Sequence, residues 1–173
     1  MQLHQINMQY DPHQDRLLVR VSTKEKLEYQ FWFTRRLTRA LWPALMQQLS
    51  KVNTAQAPTT EAREAVTAFR REKALGEALF GTQFEGEENR PALSAPMLAS
   101  NIRMAVLPEG RHEIHIAPNE GTGFRMQLGD NLLHAFSRLM QDALKKSGWD
   151  LELREDAGAA QQTKPLPANR ALN

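Results

Sequence analysis

Hydrophobic and polar residues alternate along three stretches near the start of the chain, at 6–10, 17–21 and 29–33. A period of two is typical of a strand with one buried face. After Thr34 the apolar residues instead recur every three or four positions, as on one face of a helix. The Thr34 hydroxyl is suited to cap that helix. Residues 1–52 therefore predict three strands followed by a helix.

Pro43 lies well inside this predicted helix. An internal proline removes one backbone hydrogen bond and clashes with the carbonyl four residues earlier, at a cost of roughly 3 kcal/mol. Either the helix kinks near Arg39, or a short turn precedes a helix that begins at Pro43. We expect the kink.

The apolar pattern of residues 16–51 returns at 111–146, after a shift of 95 positions and without a gap. A shift of 96 likewise places 6–10 on 102–106. This internal duplication predicts an α+β fold made of two β-β-β-α units, with antiparallel sheets, helices on one face and a pseudo-twofold axis. The matched pairs include Val19 with Ile114, Val21 with Ile116, Tyr29 with Phe124, Phe31 with Met126, Phe33 with Leu128, Leu41 with Phe136 and Leu45 with Met140.

The segments outside the repeats lack the apolar pattern of the repeats. We expect one domain built from two halves, a first unit at 1–52 and a second unit at 98–153. Between them we expect a linker at 53–97 with a charged helix at 61–80 and an acidic loop, and after them a disordered tail at 154–173. The last helix is expected to be capped by Asp130 and to end at Gly148. Trp149 and Leu151 alternate with polar residues, which indicates a short further strand.

The composition narrows the function classes. The chain has 173 residues and no cysteine, which excludes disulfides and thiolate chemistry. No apolar run approaches the roughly 20 residues of a membrane span, and the first ten residues lack a secretory apolar region. We therefore expect a cytoplasmic protein that does not enter a membrane. The net charge is only +2, which gives no overall attraction to polyanions.

The charge is nevertheless uneven. Residues 16–39 hold seven basic residues against two acidic ones, a local charge of +5, whereas 111–134 has a local charge of −1. A tryptophan among arginines on an open sheet face can stack a base while guanidinium groups hold phosphates. The alternative is that the tryptophan packs under a helix or a partner and the arginines only solvate the sheet. The candidate polyanion-binding residues are Arg16, Arg20, Trp32, Arg35, Arg36 and Arg39.

Other chemistry has less support. His112 and His115 have opposite parity on one predicted strand, so they cannot chelate the same ion, and zinc needs three or four convergent ligands. No phosphate-binding glycine loop and no nucleophile motif occurs in the sequence. We predict no catalytic residue, no cofactor and no metal site.

Two functions from different classes remain. The first is a non-enzymatic interaction or assembly module that uses an exposed sheet face or the helix 61–80 to bind a protein partner. The second is single-stranded nucleic-acid binding by the first half. The doubled order of strands and helix is similar in layout to that of the Whirly single-strand-binding proteins, which have one more strand per unit. Layout alone does not carry function. The state of oligomerisation stays open.

Overall fold

The computed structural model describes residues 3–54, 84, 90–93 and 95–151. Within these ranges the chain forms a mixed α+β fold of two sheets and two helices. The first sheet consists of β1 (Leu3–Asp11), β2 (Arg16–Thr23), β3 (Leu27–Phe33), β4 (Arg90–Pro91) and β5 (Met97–Leu98). The second consists of β6 (Asn101–Leu107), β7 (Arg111–Ala117) and β8 (Phe124–Leu128). The helices are α1 (Arg35–Thr54) and α2 (Asp130–Ser147).

The three strands and the helix predicted for 1–52, and the three strands and the helix predicted for 98–148, are present. Neighbouring long strands pair antiparallel in each sheet, whereas the two-residue strands β4 and β5 both run parallel to β3. The sequence predicted only linker and loop where β4 and β5 lie. Two residues are too few to show any alternation, so these pairings were invisible in the pattern. The predicted helix 61–80 and the tail 154–173 lie outside the described residues.

The first helix begins as its sequence predicts. The backbone amide of Leu37 donates to the Thr34 hydroxyl at 3.2 Å, which is the N-cap bond. The helix continues through Pro43 to Thr54. Of the two alternatives for this proline, the helix that begins at Pro43 is therefore excluded.

The second helix differs from its prediction at one end. Asp130 is not the cap: the N-cap residue is Gly129, and Asp130 is the first helical residue. The carboxylate of Asp130 instead lies 3.0 Å from Nε2 of His112, a buried residue of β7. The helix ends at Gly148, whose φ of 63° is the left-handed conformation that glycine adopts most readily. The described residues Trp149 to Leu151 do not form the further strand that their alternation suggested.

One hydrophobic cluster contains side chains from both halves. The ring of Phe124 on β8 lies 4.5 Å from the ring of Tyr29 and 5.1 Å from that of Phe31. Helix α2 packs against β1, and α1 packs against β6 and α2. Each helix therefore contacts the sheet of the other half.

The strand registers of the two sheets agree at the offset read from the sequence. Leu17 pairs with Phe33 in the first sheet, and His112 pairs with Leu128 in the second, which is the same pair shifted by 95. Met8 opposite Val19 corresponds to Met104 opposite Ile114, with a shift of 96 for the methionines and of 95 for their partners. The order strand, strand, strand, helix is the same in both halves.

A polar cluster ties the end of α2 to the first hairpin. Asp15 Oδ1 accepts hydrogen bonds from Trp149 Nε1 at 2.6 Å and from the Tyr10 hydroxyl at 2.8 Å. The bond from Trp149, together with that from Tyr10 and the charge of Arg35, lowers the pKa of Asp15 below its usual 3.8. The same bond to Asp15 raises the pKa of the Tyr10 hydroxyl.

Candidate binding surfaces

The outer face of the first sheet carries the predicted tryptophan. Trp32 is partly exposed and pairs with Leu18 on β2 and Leu98 on β5. Leu98 is 43% exposed. Arg20 pairs with Gln30 in the neighbouring row, so it shares this face with Trp32. The structure thus brings Trp32 and Arg20 together, as the alternation predicted.

The guanidinium of Arg20 is already engaged on this face. Its Nε and Nη2 donate to the two carboxylate oxygens of Glu28 at 2.7 and 3.0 Å. Glu28 is only 3% exposed and also accepts a bond from Gln30 at 2.6 Å. The ring of Phe84 covers the guanidinium at 4.3 Å. The charge of Arg20 is therefore neutralised within the protein, which reduces what it can offer to a phosphate.

The other candidate polyanion-binding residues lie on two different elements, β2 and α1. Arg16 is half-buried at the start of β2, opposite Asp11. Arg35, Arg36 and Arg39 are exposed on α1, and Arg35 donates to the Asp150 carbonyl at 3.3 Å. The three helical arginines thus lie on a different element from the Trp32 face.

A groove with a mixed polar and apolar lining lies between α1 and β6. Its volume is about 230 Å³, and β6 is the edge strand of its sheet. Val106, further along the same face of β6, is 52% exposed. On β1 the matching residues Ile6 and Met8 are buried, whereas Ile102 and Met104 on β6 are only partly buried. The lining residues are Leu37, Ala40, Leu41, Ala44, Ser100, Asn101, Ile102 and Met104.

Sequence reasoning missed this groove. Ile102, Met104 and Val106 alternate as Ile6, Met8 and Tyr10 do, and this pattern is typical of a buried strand face. Alternation shows which side of a strand is apolar and does not show whether another element covers it. Only the packing of α1 shows that this apolar side is left partly open.

A second unpredicted feature lies on the outer face of the second sheet. Arg103, His115 and Arg125 face one another directly across β6, β7 and β8. Arg103 and His115 line a shallow depression of about 170 Å³ together with Asn101 and Ala117. The charge count along the chain missed this row, because Arg103 lies outside the window 111–134 and pairing between strands creates the row. The predicted hairpin register could have revealed it.

The two histidines of β7 lie on opposite faces, as their parity predicts. His112 is buried beside Asp130, whereas His115 is half-exposed on the outer face. Among the described residues, no group of three or more histidine, aspartate or glutamate side chains could hold a metal ion.

Comparison with known proteins adds nothing to this geometry, since no family model, no curated protein and no solved structure matches the chain. Neither described helix is long and apolar enough to cross a bilayer.

Proposed function

We propose that this protein is a non-enzymatic interaction module that binds an extended, partly apolar segment of a protein partner along the α1–β6 groove. The observation that carries the proposal is the open groove beside an edge strand. In the described residues β6 pairs with β7 alone, so its outer backbone groups are available to another strand.

The groove suits strand addition in particular. A segment that pairs with the free edge of β6 gains main-chain hydrogen bonds, and every second side chain then points towards the groove. Ala40 and Ala44 on α1 leave room for those side chains, while Ile102 and Met104 offer apolar contact. The expected ligand is therefore a segment with apolar residues at alternate positions.

Within the described residues, the two halves differ at the position of the groove. We propose that the two β-β-β-α units are related by a pseudo-twofold axis, which is supported by the matching registers and by the reciprocal packing of α1 on β6 and α2 on β1. Under that relation the groove corresponds to the interface of α2 with β1. Ile6 and Met8 are buried in that interface, whereas Ile102 and Met104 of the groove are only partly buried, so the proposed binding surface lies where the halves differ.

Peptide display tests this proposal without a known partner. Peptides selected on the intact protein should show apolar residues at alternate positions and should bind at least tenfold more weakly to Ala44→Arg, because the new side chain fills the groove. Gln47→Arg adds the same charge on the same helix at an exposed position outside the groove, and it should leave binding unchanged.

Two results would contradict the proposal. One is the absence of any enriched peptide, and the other is equal binding to wild type and Ala44→Arg. Sedimentation velocity of the wild type and of Ala44→Arg tests whether a second copy of the protein supplies the bound segment. If the wild type is a dimer and Ala44→Arg is a monomer, the partner in the groove is another copy of this chain.

A second candidate function is single-stranded nucleic-acid binding on the first sheet, favoured by the partial exposure of Trp32 on the face of Arg20. Anisotropy titrations with a labelled oligonucleotide at two salt concentrations test it. Trp32→Leu should weaken binding by about 1–3 kcal/mol through lost stacking and leave the salt dependence unchanged. Arg36→Ala should flatten the salt dependence, since one phosphate contact is lost. Absence of binding at low salt would exclude this function.

A further inference from the structure

The row of Arg103, His115 and Arg125 places two guanidinium groups and an imidazole on one surface. Arg103 has no hydrogen bond or ion pair within the described part of the chain, and Arg125 has only a long contact of 3.8 Å to Glu113. The side chain of Arg125 is 67% exposed, so that contact is weak. We infer that this row, together with Asn101, is a binding site for a phosphate group.

In the first sheet a carboxylate accompanies the arginine that corresponds to His115, and among the described residues the row of the second sheet has no such carboxylate. Shifted by the repeat offset, His115 corresponds to Arg20 and Gly123 corresponds to Glu28. In the first sheet the carboxylate of Glu28 neutralises the cation beside it at 2.7 Å. In the second sheet a glycine replaces that carboxylate, so the protein supplies no anion at the equivalent place. An external anion would take the position that Glu28 fills in the other half.

The glycine also creates the space for the imidazole. A Cβ atom at position 123 would lie 2.4 Å from Nε2 of His115 and 2.8 Å from the carbonyl oxygen of Ile116. Any other residue at Gly123 would push the ring of His115 out of its position. The depression lined by Asn101, Arg103, His115 and Ala117 therefore depends on this glycine.

The composition of the site favours phosphate over a carboxylate. Two arginines, an imidazole and an amide can bond several oxygens of one phosphate, and arginine binds phosphate with two parallel hydrogen bonds. The single carboxylate of Glu28 is matched by one arginine in the first sheet. In the described residues no Phe, Tyr or Trp side chain faces outward from β6, β7 or β8, so the site lacks the large aromatic platform typical of single-strand binding. A single phosphate, free or carried by a small molecule, is thus the expected ligand rather than a nucleic-acid strand.

Titration of the isotopically labelled full-length protein with inorganic phosphate, followed by NMR, tests this site. Phosphate should shift the resonances of Arg103, His115 and Gly123 in a saturable way. Arg103→Ala and His115→Gln should each weaken binding at least tenfold, whereas Lys51→Ala, which removes a charge from an exposed position of α1, should change it less than twofold.

Three outcomes overturn the inference. The first is the absence of saturable shifts with phosphate. The second is equal binding of acetate, which would make the row a general anion site. The third is binding of an oligonucleotide without binding of phosphate or of a small phosphomonoester. Thermal unfolding of each variant shows whether its loss of binding accompanies a loss of folding, and His115→Gln on the exposed face should keep the wild-type midpoint.

Discussion

The pair of Arg20 and Glu28 decides whether the first sheet can offer a free cation, and Arg20→Ala tests this directly. The substitution leaves Glu28 buried, 3% exposed, with only the bond from Gln30 to stabilise its charge. Breaking a buried ion pair by removing one partner costs about 3–5 kcal/mol. Because the side chain of Arg20 is 24% exposed, we expect the low end of that range. A loss of about 3 kcal/mol corresponds to a fall of roughly 6–12 °C in the unfolding midpoint for a chain of this size.

Urea unfolding of wild type, Arg20→Ala, Glu28→Leu and the double variant Arg20→Leu/Glu28→Leu measures the effect. The double variant should recover most of the stability, since hydrophobic replacement of a buried pair is often neutral. Arg36→Ala removes an exposed arginine and should change stability by less than about 0.5 kcal/mol. If Arg20→Ala also stayed within 0.5 kcal/mol of wild type, on the order of a surface substitution, the pair would not stabilise the sheet. Arg20 would then be free to bind an external phosphate.

Three further predictions concern the core, the polar cluster and the glycine. Phe124→Ala should destabilise the protein by about 3–5 kcal/mol in urea unfolding, because its ring packs on Tyr29 and Phe31 across the two halves; a cost below about 1 kcal/mol would show that the halves do not share a core. Asp15→Asn should lower the unfolding midpoint at pH 7. Because the pKa of Asp15 is lower in the folded protein, its ionised carboxylate stabilises the fold above pH 3.8, and this stabilisation is lost as the pH falls through the pKa of the folded state. The unfolding midpoints of wild type and Asp15→Asn should therefore converge in acid. A constant difference between them down to pH 2 would contradict this. Gly123→Ala should cost about 1–3 kcal/mol through overpacking against Ile116, whereas Gly129→Ala, where an added Cβ meets nothing within 4 Å, should stay within about 1 kcal/mol; equal effects would contradict the close approach at Gly123.

The strands and helices of the repeats were predictable because local physics and tertiary packing agree there. Alternation at 29–33 places Phe31 and Phe33 inside and Trp32 outside, which the structure confirms. The N-cap at Thr34 and the left-handed Gly148 followed from local backbone chemistry in the same way. The prediction of Asp130 as the N-cap was wrong, because its carboxylate lies beside the buried His112 of β7 instead of capping its own helix.

The surfaces were less predictable, because they depend on which elements meet. The count of +5 in residues 16–39 treated Arg20 as a free charge, although Glu28 on the neighbouring strand β3 pairs with it. Met104 and Val106 have the pattern of core residues, and only the placement of α1 leaves them partly uncovered. Pairing between β6, β7 and β8 likewise assembled a cationic row from residues that lie far apart in the chain.

Amide hydrogen exchange on β6 tests strand addition most directly. A peptide selected on the intact protein would be added at saturation, and exchange would be followed residue by residue over Asn101–Leu107. Strand addition predicts that alternate amides of β6, those not bonded to β7, become protected, while β2 and β3 exchange as before. Unchanged exchange along β6, or protection confined to the Trp32 face, would contradict the account of this protein as a module that binds a partner segment at the α1–β6 groove.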